Sequence, residues 1–217
     1  MNKIRFFKKM NRGIVLGIIL AMGLTGYLVF DDIMFDKERE KIKQVLDGYV
    51  SDLSSILLFP EPHREIGIEV PVDILVEKVD RVHCLVDQYV GVREDFGKEL
   101  RDKMSMDLEQ LLQENAEKGN IISEYDLKIR QIDNMNKYGA DIVIVEMVVD
   151  LHTITTNEAV SFLFCDRIDT YNSEENADVE NKYWVTNVYE MFLTCEMVYQ
   201  NGSWKFIDFG EKRTMYR

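Results

Sequence analysis

Cysteine, histidine and proline are all scarce, with three of each in 217 residues. Cys84, Cys165 and Cys195 are odd in number and too few for the disulfide framework of a small exported domain. Cys165 and Cys195 could bridge if their strands meet; otherwise all three serve as small buried apolar residues. No cysteine pair has zinc-ligand spacing, and His63, His83 and His152 are dispersed, so neither a metal site nor a cofactor is expected. Basic residues are outnumbered 26 to 39, a formal charge of −13. That balance argues against nucleic acid and anionic lipid headgroups as partners, since both select basic surface. The acids are scattered without the D-x-D-x-D-G spacing of a calcium loop. The last absence is local: from Gly13 to Phe30 there is no charge at all.

That run, GIVLGIILAMGLTGYLVF, is 18 residues long. As a helix it measures roughly 27 Å, close to the hydrocarbon thickness of a bilayer. Lys3, Arg5, Lys8, Lys9 and Arg12 precede it, and Asp31, Asp32 and Asp36 follow. The positive-inside rule then places the amino terminus in the cytoplasm and the remainder outside the cell membrane. A cleaved signal peptide shares the basic start, but the exit, Tyr27 to Phe30, is bulky where a small-x-small cleavage site belongs. The expected organisation is a cytoplasmic tail (1–12), a single-pass transmembrane helix (13–30), a juxtamembrane amphipathic helix (31–58) and an exported domain (59–217). With five basic and no acidic residues in the first 30, the exported part carries −18. Within the run Gly13, Gly17, Ala21 and Thr25 recur every four residues, a small-xxx-small face of the kind on which membrane helices pair.

Beyond the run, period 3.6 comes first. Ile42, Val45, Leu46, Tyr49, Leu53, Ile56 and Leu57 predict an amphipathic helix ended by Pro60 and Pro62. Asp36–Arg39 and Glu40–Lys43 are spaced as i,i+3 charge pairs. Val72, Leu75, Val76, Val79, Val82, His83 and Val86 predict a second helix, with the valines leaving a strand open and His83 packed into the core. A third helix is expected from Arg93 to Lys118, with Phe96, Leu100, Met104, Leu108, Leu111 and Leu112 inward and Gly119-Asn120 as its stop.

After Gly119 the period becomes 2. Tyr125, Leu127 and Ile129 alternate, and Asn136 to Gly139 makes a turn. Val143, Val145, Met147, Val149 and Leu151 then face one way, with Glu146, Asp150 and His152 opposite. A turn is expected at Thr155 to Glu158, a returning strand from Val160 to Ile168, an acidic loop from Tyr171 to Asn181 and a long strand from Tyr183 to Tyr199. Asn201-Gly202 is a type I′ hairpin signal. Seventeen residues of strand would reach roughly 56 Å, wider than a domain of this size with a radius of gyration of about 15 Å. The strand must therefore bend, and a bulge is expected near Thr186 to Val188. The expected fold class is α+β, helices packed on a strongly bent, cone-like antiparallel sheet.

Helices followed by a meander closing in MVYQNGSWKFIDFGEK resemble the cone-shaped superfamily of nuclear transport factor-like and SnoaL-like domains. Asn201, Gly202, Trp204 and Phe206 carry the likeness. The resemblance implies a cone fold whose members include enzymes, small-ligand binders and scaffolds. The layout of tail, membrane helix and exported cone is also similar to the scaffold subunits of type IV secretion machines. The first expectation is thus a membrane-anchored interaction or assembly module without catalysis, taking a protein partner or forming a homo-oligomer. The alternative is a binder of a small apolar ligand in the cone, since eleven methionines and many aromatics could line a pocket. A third is an enzyme using Asp150 and His152, two apart on one strand and so on one face, as a general-base pair.

Overall fold

The computed structural model describes residues 12–64, 68–93, 97–118, 122–138, 141–156, 160–169 and 184–216. Its elements are α1 (Arg12–Leu57), α2 (Val72–Tyr89), α3 (Lys98–Glu117), β1 (Ile122–Lys137), β2 (Ile142–Thr156), β3 (Val160–Leu163), β4 (Asp166–Asp169), β5 (Trp184–Gln200) and β6 (Ser203–Tyr216). The class is α+β, helices first and antiparallel sheet second. The chain divides into two compact units, Met1–Ile42 and Lys43–Arg217.

In the first unit α1 has no Pro to interrupt it. Leu16, Ile18, Ile19, Leu20, Met22 and Leu24 are all exposed, from 46% to 65%. Further along, Arg39 bonds Asp36 at 2.8 Å, the i,i+3 pair that the spacing predicts, and lies 4.7 Å over the Phe35 ring.

In the second unit the rest of α1 buries Leu46, Tyr49, Leu53, Ile56 and Leu57, the three- and four-residue stripe of an amphipathic helix. The helix stops before Pro60 and Pro62. Its terminal carbonyls lack intrahelical donors, and Lys78 of α2 supplies them: Nζ donates to Ser55 O at 2.6 Å and Leu58 O at 2.7 Å. Burial lowers the Lys78 pKa from its ordinary 10.5 to about 8. Even the neutral amine keeps two N–H donors for two carbonyls. Because the folded pKa lies below the unfolded one, the unfolded chain holds the extra proton between pH 8 and 10.5. Stability should therefore rise with pH across that window. A Lys78→Met variant should lose that rise while leaving both carbonyls without their donor, at a cost of about 1 to 3 kcal/mol. Parallel melts from pH 7.5 to 10.5 check both expectations.

The sheet order is β1-β2-β5-β6, antiparallel throughout. On β2, Val143, Val145, Met147, Val149, Leu151, Thr153 and Thr155 are all buried, the inward face that the alternation predicts. β5 runs 17 residues, Trp184–Gln200. The bulge does not fall at Thr186 to Val188, where β5 stays in unbroken register with β2. Register shifts occur instead between Phe192/Leu193 and Glu196/Met197 against β6, and at three places along β1. Irregularity thus concentrates on the two outer pairings, leaving the central pair regular. Asn201 (φ +53°) and Gly202 (φ +86°) form the predicted β5–β6 turn.

Three further expectations are corrected. Val160 to Ile168 is not one returning strand but the hairpin β3–β4, a separate two-stranded sheet. Its turn, Phe164-Cys165, is fully apolar and buried, so it lacks the polar, glycine-rich chemistry by which a turn is read from sequence. The third helix begins at Lys98, not Arg93, because Gly97 enters left-handed backbone at φ +81°. His83 is not packed in the core: its side chain is 56% exposed, 3.4 Å from Glu109. Phe96, the Gly119-Asn120 stop and the 171–181 loop lie outside the described residues.

Candidate functional site

Tyr49, Tyr89, Phe164, Phe206 and Phe209 form one aromatic cluster. Tyr49 from α1 packs its ring 4.9 Å from Phe164, 5.1 Å from Phe206 and 5.4 Å from Tyr89. A buried phenol needs a hydrogen-bond partner, and Tyr49 donates to the carbonyl of Phe164. Tyr125 of β1 likewise donates to Phe162 O. Both phenols have pKa values raised by burial. Phe164 sits at φ +56°, a conformation unusual for a bulky residue. The Tyr49 bond and the rings around it hold the hairpin tip in that position.

Beside this cluster lies a cleft of about 470 Å³, in the range of small-ligand sites. Gly97, Glu99, Leu100 and Lys103 at the start of α3 form one wall; Cys165 and Asp166 after the hairpin tip form the second; Ile207, Asp208 and Phe209 of β6 form the third. Lys103 Nζ is paired with Asp166, and the hydrogen bond to that carboxylate raises the lysine pKa. Cys165 Sγ donates to Asp166 Oδ2 at 3.6 Å. Burial first, and the Asp166 charge second, push the thiol pKa well up, so Cys165 is neutral and a poor nucleophile. Asp208 Oδ1 accepts the amide of Phe209 at 2.8 Å. The cleft therefore offers one ion pair, two further carboxylates and an apolar floor of Leu100, Ile207 and Phe209. Such a lining can hold an amphipathic molecule; it presents no activated nucleophile.

The second cysteine, Cys195, is buried on the inner face of β5, and burial raises its thiol pKa. Cys84 is exposed, and all three are free thiols. The native protein should accordingly react with one equivalent of a maleimide at pH 7.5 through Cys84, and with the other two thiols only on unfolding. A fast second equivalent would show that the interior around Cys165 opens.

Asp150 and His152 share the outward face of β2, as the alternation predicts, yet they do not form a dyad. Arg130 of β1 lies 3.4 Å from Asp150 Oδ1 and 2.8 Å from Glu190 Oε2 of β5. Asp150 and Glu190 are cross-strand neighbours, and Arg130, which falls at the β1 irregularity between Ile129 and Gln131, reaches both. Glu190 raises the Arg130 pKa by its hydrogen bond. The Asp150 carboxylate is thus occupied, and His152 lies in register with Asp126 and Val188.

The chain matches no protein family and no curated protein. Among solved structures it is similar to a putative scytalone dehydratase from Novosphingobium aromaticivorans DSM 12444, at 14% identity and TM-score 0.43, over 82% of this chain and 86% of that one. It is also similar to the intermembrane space region of the chloroplast protein ARC6, at 12% identity and TM-score 0.35, over 77% and 94%. Likeness at these scores carries no argument, and the α+β assignment rests on the chain's own helices and sheet.

Gly17, Ala21 and Thr25 lie one turn apart on exposed helix. An added Cβ at Gly17 would meet nothing within 4 Å, and Thr25 Oγ1 donates to Ala21 O. Gly13 lies on the same helix, one turn before Gly17. Among the described residues, no group of metal-ligating side chains occurs and no helix is long and apolar enough to cross a membrane. Within the 13–30 run the described side chains are those of 16–26, about 16 Å of helix.

Sequence reasoning missed Lys103, Asp166 and Asp208 as neighbours, and the Arg130–Glu190 pair. The first group comes from three elements far apart in the chain, and no local spacing announces it. The second reaches from β1 to β5 across β2, from a residue that drops out of the β1–β2 register, and no local pattern announces that irregularity.

Proposed function

We propose that this protein is a single-pass, membrane-anchored interaction module, with its amino terminus cytoplasmic and its α+β domain outside the cell membrane. One observation carries the reading. From Leu16 to Leu24 every large apolar side chain is exposed, and added Cβ atoms at Gly17, Gly23 and Gly26 meet nothing within 4 Å. A helix apolar on all sides has no stable place in water, and lipid is the medium that fits it. The basic residues before it and acids after it set the orientation. Gly13, Gly17, Ala21 and Thr25 form the face on which this helix pairs with itself or with another anchor. The domain is of the nuclear transport factor-like cone type, used here as a scaffold.

The test is fractionation of the full chain. It should stay with membranes through alkaline carbonate and leave only in detergent, with added protease removing the domain from intact cells and sparing an amino-terminal tag. Leu20→Arg, at about 2.5 to 3.5 kcal/mol for a charge at the helix centre, should release a large fraction. Release of the parent protein by carbonate would overturn the anchor. For the pairing face, the full chain in nanodiscs should be oligomeric and Gly17→Leu should dissociate it; a partner-free monomer would remove the basis of the assembly reading.

A second reading is favoured by the cleft at Lys103 and Asp166: a small amphipathic ligand with its polar end at that ion pair and its apolar body on Leu100, Ile207 and Phe209. A rise in melting temperature during a lipid and sterol screen, abolished by Leu100→Asp, would support it.

A further inference from the structure

Helix α2 carries its apolar residues on the wrong side at one end. Its buried residues are Lys78, Val82, Leu85, Val86 and Tyr89. Val72 is 74% and Val76 53% exposed, and Val79 is half-buried. At 100° per residue, Val72, Val76, Val79 and His83 form a single stripe, rotated roughly 110° from the buried face. The inward position at this end belongs to Lys78, which is committed to the carbonyls of Ser55 and Leu58. The valines consequently face out, contiguous rather than singly scattered, which is the pattern of a contact surface.

One exposed apolar residue of α3 stands apart from this stripe. His83 meets Glu109 at 3.4 Å, and one turn before Glu109, Met106 is 62% exposed. Arg101 likewise meets Asp87, so α2 and α3 run antiparallel, Met106 lies beyond His83, and Val72, Val76 and Val79 form an unpartnered apolar face of α2 on their own.

Charge selects what covers it. Asp73, Glu77 and Asp80, all exposed, run along one flank of the stripe, and Glu109 stands on the other. Of the basic residues beside them, Lys78 is buried and bonded to the α1 carbonyls, and Arg81 donates to Ser55 Oγ. A second copy of this chain would bring the same carboxylates into opposition, and anionic lipid would be repelled equally. We infer that this valine face binds an amphipathic helix of a partner protein, with apolar residues at i, i+4 and i+7 seated on Val72, Val76 and Val79, and with Lys or Arg on its margins facing the carboxylates. This inference rests on the reading of the protein as an interaction module and names its partner class.

The test uses the full chain in nanodiscs of zwitterionic lipid, titrated by fluorescence anisotropy with a labelled Leu/Lys amphipathic helical peptide of about 18 residues. Empty nanodiscs provide the baseline. Binding is expected, weakening as salt rises. Val72→Ser with Val76→Ser should raise Kd at least about tenfold, as should Asp73→Asn with Glu77→Gln and Asp80→Asn. These positions are exposed, and unchanged melting would confirm that the variants fold. Equal affinity in the serine variant, or equal binding of a Leu/Glu peptide of the same pattern, overturns the inference. A dimer that the serine variant dissolves overturns it too, in favour of a second copy as occupant. Carbonate retention is scored on the membranes from which each preparation is made: lost peptide discrimination with retention intact removes the docking face alone, whereas lost retention removes the anchored reading.

Discussion

Phe206→Ala should cost the domain about 3 to 5 kcal/mol, the range for emptying a buried aromatic site. Phe206 has no exposed surface, and its ring packs against Tyr49, Phe164 and Phe209 at 5.1, 5.9 and 4.9 Å. Its backbone matters as well: its carbonyl accepts the Gly91 amide at 2.7 Å, joining the end of α2 to β6 by a parallel bridge at Val90. The cavity would open where α1, the β3–β4 hairpin and β6 converge, so no single element can collapse to fill it. For a domain of this size each kcal/mol lowers the melting temperature by roughly 2 to 4 °C, giving a fall of about 6 to 20 °C. Phe206→Leu should recover roughly half of that loss. A melt unchanged within about 2 °C would mean that these rings do not form the core.

Gly97→Ala should be nearly as damaging, although it adds one methyl group. Gly97 holds φ +81°, and its Cβ would overlap the backbone carbonyl oxygen of Gly91. The left-handed backbone alone costs an alanine about 1 to 2 kcal/mol, and a carbonyl cannot rotate aside as a side chain can. The segment after α2 would have to leave β6, breaking the Gly91–Phe206 bond and shifting the start of α3. A total of about 3 kcal/mol or more is expected, read by denaturant titration. Because Gly97, Glu99, Leu100 and Lys103 form one wall of the cleft, the same substitution should abolish any stabilisation by a cleft ligand. Asp166→Asn is the milder control, since it removes the partner of Lys103 without touching the backbone.

Much of the architecture was legible in the residues. The stripe from Leu46 to Leu57, the alternation from Val143 to Leu151 and the Asn201-Gly202 turn each carry their signal within a dozen positions, and each appears as read. The β3–β4 hairpin was not legible. Its turn, Phe164-Cys165, looks like strand, and only the cluster around Tyr49 keeps it folded at φ +56°. Helix α2 shows the same limit differently. Its valines fit a buried helical face, but Lys78 caps α1 and so turns Val72 and Val76 outward, a preference no window along α2 contains. His83 went to the surface by the same rotation. Asp150 and His152 do share the face expected of them, yet Arg130, twenty residues away in sequence from Asp150, takes the carboxylate.

By itself the sequence determined the order of helices then sheet, the inward faces of α1 and β2, the last turn and the uncharged run from Gly13 to Phe30, because each depends on neighbours within one or two turns of helix or one strand. Tertiary structure alone decided where the strands are irregular, which way α2 faces, how the hairpin tip is held and which side chains meet at Lys103 and Asp166. Those outcomes depend on contacts between residues tens of positions apart, and burial, charge pairing and the satisfaction of backbone groups are settled only when the elements that carry them are packed together.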